Sequence, residues 1–126
     1  SMHLHLTLEN WRSIDRAEVE FGPFTLLVGR NSTGKSNIVD ALLFFFEISR
    51  DADLAVSRRG GIESIRRWSP TKPRDIAIKV VASASADPSA GDHVCHEFVL
   101  ASGKNGAWHF KKERISVVVG GKTNLD

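Results

Sequence analysis

The sequence predicts a mixed α/β fold in which a strand, a glycine-containing loop and a helix are joined to an antiparallel, strand-rich lobe. Three observations predict it. The apolar run Phe24-Thr25-Leu26-Leu27-Val28 passes directly into Gly29-Arg30-Asn31-Ser32-Thr33-Gly34-Lys35-Ser36, which has the form GxxxxGKS. An apolar run from Ile38 to Ile48 follows at once, long enough to be a helix. From Asp75 onward the pattern changes to short strand-like runs broken by clusters of Gly, Pro, Asp, Asn and Ser.

The first strand is read from alternation: Leu4, Leu6 and Leu8 fall on one face, and His3, His5 and Thr7 on the other. The two histidines stand at i and i+2 without an evident third ligand, so they read as exposed strand residues rather than a metal site. Asn10-Trp11-Arg12-Ser13 is a connection leading to a short strand around Ala17 to Phe21. Gly22-Pro23 ends that strand and feeds the next, Phe24 to Val28.

The loop that follows has the chemistry of a phosphate cradle. Gly29 lets the chain turn off the strand, and Gly34 lets successive backbone N–H groups converge on an anion. Lys35 and Ser36 open the helix, whose unpaired N-terminal amides and positive dipole end add to that attraction. Lys35 is placed to reach the β- and γ-phosphates and is the candidate catalytic residue. The Ser36 hydroxyl is the candidate ligand of Mg²⁺, which takes oxygen donors shared with the phosphates. The candidate nucleotide site thus comprises Gly29, Arg30, Asn31, Ser32, Thr33, Gly34, Lys35 and Ser36, with Asn37 adjoining. Ordinary residue frequencies produce this loop by chance in roughly half a percent of chains of this length, and the flanking strand and helix lower that further.

Beyond the loop, Ile38, Val39, Ala41 to Phe46 and Ile48 leave almost no polar stripe, so the helix is expected to be covered on most sides. Ser49 to Gly61 reads as a short helix or loop, and Ile62 to Trp68 as a helical turn stopped before Pro70. Four strands are expected at 75–82, 94–100, 107–112 and 115–119, the last two separated by a tight charged turn near Glu113. Such short connections imply an antiparallel meander.

The chain has 126 residues, 41% hydrophobic and 25% charged, enough for a real core. No apolar run approaches the ~20 residues that span a bilayer, and no charged-then-apolar leader opens the chain. Ser1-Met2 reads as a cloning remnant plus the native start. With one cysteine, Cys95, no internal disulfide can form, which suits a reducing cytoplasm. Cys95 itself reads as a half-buried strand residue. The formal net charge of +2 is too small to argue for nucleic acid, but Arg58, Arg59, Arg66, Arg67, Lys72 and Arg74 gather in one span. That cluster is either a solvated face or a phosphate-contacting patch.

With these residues in place the chain resembles the N-terminal half of an ABC-type ATPase head, in the branch that includes SMC, RecF and the OLD-like bacterial AAA-family ATPases. The resemblance rests on N-W-R-S at Asn10 to Ser13, on the loop, and on Asn37, Asp40, Ala41 and Leu42 after it. It extends more loosely to Arg59-Gly60-Gly61-Ile62. It implies a P-loop NTPase fold, ATP and Mg²⁺ as ligands, Arg12 and Ser13 beside the nucleotide, and Asn31 shaping the loop over the γ-phosphate. Ser32 and Thr33 depart from the family's usual residues, both remaining small.

The resemblance divides the chain into a nucleotide core at 3–50, a helical or loop connector at 51–74 and antiparallel strands at 75–126, all part of one ATPase domain. Hydrolysis in such heads needs an acid after an apolar strand and a signature segment. Here Ile115 to Val119 ends in Gly120-Gly121, and no LSGGQ-like run occurs. The expected function is therefore ATP binding within a head completed by another segment, of the same or another chain. Such a head would dimerise around ATP in DNA repair or bacterial defence, with DNA as a further partner. The fragment alone is expected not to hydrolyse ATP. The alternative is a non-catalytic folding or dimerisation module that binds nucleotide weakly or not at all. A GTPase is disfavoured because Gly121 to Asp126 does not match N-K-x-D.

Overall fold

The structure, a computed structural model, describes residues 2–22, 32–87 and 89–125. Its elements are β1 (His3–Trp11), β2 (Ile14–Phe21), α1 (Ser32–Ile48), α2 (Ala52–Ser57), α3 (Ile62–Ile65), β3 (Ile76–Ser83), β4 (His93–Ser102), β5 (Trp108–Val119) and β6 (Lys122–Leu125). The expected strand Phe24 to Val28, and the loop residues Gly29, Arg30 and Asn31, lie outside the described residues. The six described strands form one sheet in the order β2-β1-β3-β4-β5-β6, with every neighbouring pair antiparallel.

Alternation assigns the two faces of this sheet. Leu6 lies between Val19 and Val80, Leu8 meets Ile78, Ile78 meets Phe98, and Ile76 meets Leu100. Most of these side chains are buried beneath the helices. On the other face Glu9 meets Arg16, and Lys79, Glu97 and Arg114 line up across three strands. An antiparallel sheet with one packed face and one wet face follows from that pattern.

One residue breaks the alternation with a clear effect. Trp11 shares the parity of Thr7 and Glu9, which would put it on the polar face. It is nevertheless fully buried in the core, its ring centroid 5.0 Å from that of Phe44. Asn10, which precedes it, has φ +57°, a left-handed conformation in which Asn is among the least unfavourable residues. That single twist turns the indole inward. The chain then closes a two-residue hairpin, Arg12-Ser13, between the paired Trp11 and Ile14. The connection expected at residues 10–13 is therefore a strand end and a tight turn.

Helix α1 buries Ala41, Phe44, Phe45 and Ile48, spaced at i, i+3, i+4 and i+7 as one face of a helix requires. Phe45 stacks on Phe98 with centroids 5.9 Å apart. Among the described residues α1 is not covered on most sides as expected, because Leu43 is 54% and Phe46 50% exposed. A single sheet packs only one face of a helix.

Two further expectations are corrected. No turn interrupts the chain near Glu113: β5 runs unbroken from Trp108 to Val119. Lys-Lys-Glu-Arg contains none of the residues that a tight turn needs, and its charges find partners around the strand, Lys112 on Glu97 at 2.9 Å and Lys111 on Asp75 at 2.8 Å. Beyond the expected strands, β6 pairs with the end of β5 through Gly120-Gly121, whose φ values of +59° and +80° suit a two-residue hairpin.

Candidate functional site

Helix α1 begins at Ser32, so Thr33, Gly34, Lys35 and Ser36 belong to its first turns. The helix thus starts three residues ahead of the expected Lys35, and the free amides of an α-helix's opening turn fall on the glycine loop itself. The Ser36 side chain is exposed.

Three contacts hold the β1–β2 hairpin against this end of the helix. The Trp11 indole Nε1 donates to the Asn37 carbonyl at 2.8 Å, and the Asn37 side-chain amide donates to the Ser13 hydroxyl at 3.3 Å. The Arg12 guanidinium donates to the Asp40 carboxylate at 2.9 Å. The structure therefore brings Arg12, Ser13, Ser36 and Asn37 to one end of α1. It also gives Arg12 a carboxylate partner that sequence reading did not assign.

Arg12 is itself held in a left-handed conformation, φ +51°. A non-glycine residue there costs of order 1 kcal/mol and persists only where surrounding contacts fix it. They do: its amide donates to the Ile65 carbonyl at 2.7 Å, and its guanidinium lies 5.4 Å from the Trp11 ring centroid.

Asp40 is the centre of a larger charge network. Arg59, only 10% exposed, donates to Asp40 at 3.1 Å and to Glu47, and Arg58 reaches Glu47 at 2.9 Å. The Arg59 guanidinium also lies 5.1 Å from the Phe44 ring centroid and donates to the Ala55 carbonyl at 3.1 Å. Partial burial by itself would raise the Asp40 pKa. Hydrogen bonds from Arg59 and Arg12, with their charges, outweigh it and hold the carboxyl below its ordinary value. For Arg59 burial pulls the other way from its two carboxylates, which win and raise its pKa.

The connector is shaped to deliver Arg59. The Asp51 side chain caps α2 by accepting from the Leu54 amide at 3.1 Å, and Gly60 follows Arg59 with φ +89°. A Cβ at Gly60 would stand 2.9 Å from the Ser64 hydroxyl, so both conformation and space favour glycine. Sequence reading placed Arg58 and Arg59 in the basic cluster and missed their role. Asp40 carried the available signal, as the one acid within the apolar run from Ile38 to Phe46.

The remaining basic residues lie in the loop after α3. Arg67 donates through its amide to the Asn10 carbonyl at 2.9 Å and through its guanidinium to the Ser13 carbonyl at 3.1 Å. Arg66 donates to the Ser102 hydroxyl at 2.7 Å. Cys95 sits on β4, half-buried as expected, and burial, followed by the charge of Glu97, pushes its thiol pKa up. Among the described residues no helix is long and apolar enough to cross a membrane.

A long helix that begins within the GxxxxGKS sequence, a strand hairpin pinned to that helix and an antiparallel sheet beneath make a mixed α/β domain. The chain belongs to the AAA ATPase domain family, whose profile matches residues 2–117. It is also similar to the DNA replication and repair protein RecF of Nocardioides sp., 36% identical over 67 residues, which are 50% of this chain and 16% of that protein. The RecF protein of Lactobacillus acidophilus is 37% identical over 41 residues, 32% of this chain and 11% of that protein. The matched region is thus a small part of either relative's length. No solved structure matches the chain significantly.

Proposed function

We propose that this chain binds ATP with Mg²⁺ through a P-loop formed by residues 29–36, as one part of an ABC-type ATPase head. The observation that carries the reading is the GxxxxGKS sequence at the start of a 17-residue helix whose opening turns are tied to the β1–β2 hairpin. The group fits the residues present. Opening-turn amides and Lys35 suit a polyphosphate, and the exposed Ser36 hydroxyl suits a metal that draws its other oxygens from phosphate and water.

In this reading Lys35 neutralises the β- and γ-phosphates, Gly29, Arg30, Asn31, Ser32, Thr33 and Gly34 wrap them, and Asn37 and Ser13 shape the adjoining rim. Arg12 acts from a fixed position, because Asp40 holds its guanidinium. Bound Mg²⁺ would offset phosphate charge and polarise the γ-phosphoryl group. Hydrolysis would require the acidic and signature segments of a completed head, and the exposed apolar residues of α1, Leu43 and Phe46, are a surface for such a segment. Similarity to RecF motivates a role of the whole protein in DNA repair, with a cytoplasmic, ATP-dependent dimer and DNA as partner. Phe24 to Val28 would be the strand that carries the loop.

The test is isothermal titration of the protein with ATP and Mg²⁺. Lys35→Ala should weaken binding at least about tenfold, since it removes a charge-assisted contact of ~1.5–3 kcal/mol. Equal affinity of the two proteins would remove the assignment.

A further inference from the structure

The loop between α3 and β3 carries a tryptophan that the rest of the protein does not use. Trp68 is 78% exposed, whereas Trp11 is fully buried and Trp108 packs beside Phe110 with centroids 5.6 Å apart. A large aromatic ring presented to water gains nothing for folding, so its context matters. Pro73 in this loop borders two clefts. One, of about 280 Å³, is lined by Glu63, Arg66, Trp68 and Thr71. The other, of about 510 Å³, is lined by Asn10, Lys72, Arg74, Asp75 and Lys111. The loop is anchored rather than loose, through the Arg67 amide to Asn10 and through Arg66 to Ser102.

The clefts are lined by four cations, Arg66, Lys72, Arg74 and Lys111, and three carboxylates, Glu9, Glu63 and Asp75. Among the described residues the Arg66 guanidinium meets the Ser102 hydroxyl and no carboxylate, and Lys72 makes no ion pair. Arg74 reaches Asp15 at 3.6 Å, with both side chains more than half exposed, a pair worth little in water. Of the acids, Asp75 pairs with Lys111 at 2.8 Å and Glu9 with Arg16 at 3.0 Å, and Glu63 lies on the rim.

We propose that this loop is a contact surface for single-stranded nucleic acid, with Trp68 stacking on an unpaired base and Arg66, Lys72 and Arg74 meeting the phosphates on either side. The chemistry is that of a stacking platform flanked by cations that can meet phosphates. Two adjoining clefts suit a strand of several nucleotides better than one mononucleotide. Duplex DNA keeps its bases stacked and offers Trp68 no free face. The inference deepens the nucleic-acid part of the function proposed above and is independent of its nucleotide part.

The experiment titrates the protein with a fifteen-residue oligothymidylate, with oligouridylate, with the corresponding duplex and with ATP, following tryptophan emission and the anisotropy of a labelled strand. Trp68 is the exposed indole, so a bound strand should quench emission and shield it from acrylamide. Trp68→Ala should weaken strand binding at least about fivefold, with Trp68→Phe restoring most of it. With three phosphate contacts, log affinity should fall against log salt with a slope near −2, and Lys72→Ala with Arg74→Ala should flatten it. DNA and RNA arms of equal strength or of unequal strength both support the surface and name its strand.

Unchanged strand affinity in Trp68→Ala would overturn the proposal. So would quenching by ATP equal to that by the strand, or tighter binding of duplex. Strand binding that survives Lys35→Ala while ATP binding is lost separates this surface from the phosphate loop. ATP binding without any strand binding sinks this inference alone.

Discussion

Asp40 makes the strongest demand of any single residue, because it satisfies two arginines that arrive from different elements. Its carboxylate accepts from Arg12 of the hairpin and from Arg59 of the connector, so its loss would leave the mostly buried Arg59 with Glu47 as its carboxylate partner among the described residues. Asp40→Asn should cost about 1–2 kcal/mol at neutral pH, a figure kept below that of a fully buried pair because the side chain is partly exposed. The pH dependence has a defined sign. A carboxyl whose folded pKa is depressed adds stability that is complete above its unfolded pKa of ~3.9 and is lost as pH falls through the folded value. Urea unfolding from pH 7 down to pH 2.5 should therefore show the gap between native protein and Asp40→Asn closing below about pH 4. A gap that stays constant to pH 2.5 would mean that the carboxylate charge is not what Arg59 and Arg12 require. Asp40 was visible in the sequence as an acid among apolar residues, but its partners lie 28 and 19 positions away, beyond any local pattern.

Among the elements, β5 and β6 show how a strand boundary is decided. Charge alone does not end a strand, and β5 carries Lys111 to Arg114 through its middle because that stretch lies beyond the reach of β6, whose pairing covers Ser116 to Val119. A charged, unpaired edge also discourages sheet-to-sheet association. What ends β5 is Gly120-Gly121, where both residues take positive φ. Gly121→Val should therefore fray β6 and speed amide exchange at the paired Val117 and Val119, while global stability falls by no more than about 1 kcal/mol. Unaltered exchange at those amides would show that the hairpin does not need the left-handed turn. In the sequence the glycine pair marks only the place where no acid follows β5, and the four-residue β6 behind it is too short to stand out as a run.

At the scale of the whole molecule, the six described strands present one apolar face, and the described helices cover only part of it. Leu43 and Phe46 on α1, with Val94 and Val119 on the sheet, remain exposed. The protein should bind an apolar dye such as anilinonaphthalene sulfonate in its folded state. Leu43→Glu with Phe46→Glu should reduce that signal severalfold with little change in melting temperature, since neither side chain is buried in the core. A large loss of stability in the double variant would place these residues inside the packing instead.

The sequence by itself determined the class of this protein. Alternation in β1, the GxxxxGKS loop, the apolar spacing of α1 and the short-turn meander are local patterns, and local patterns follow from backbone geometry that neighbouring residues impose on one another. Membership of the AAA ATPase domain family agrees with that reading. Only the tertiary structure decided that Asn10 turns Trp11 into the core, that Arg12 and Arg59 meet on Asp40, and that Trp68 alone of the three indoles faces water. Each of these depends on which distant segments come together and on how much surface their packing covers, quantities that no stretch of neighbouring residues specifies.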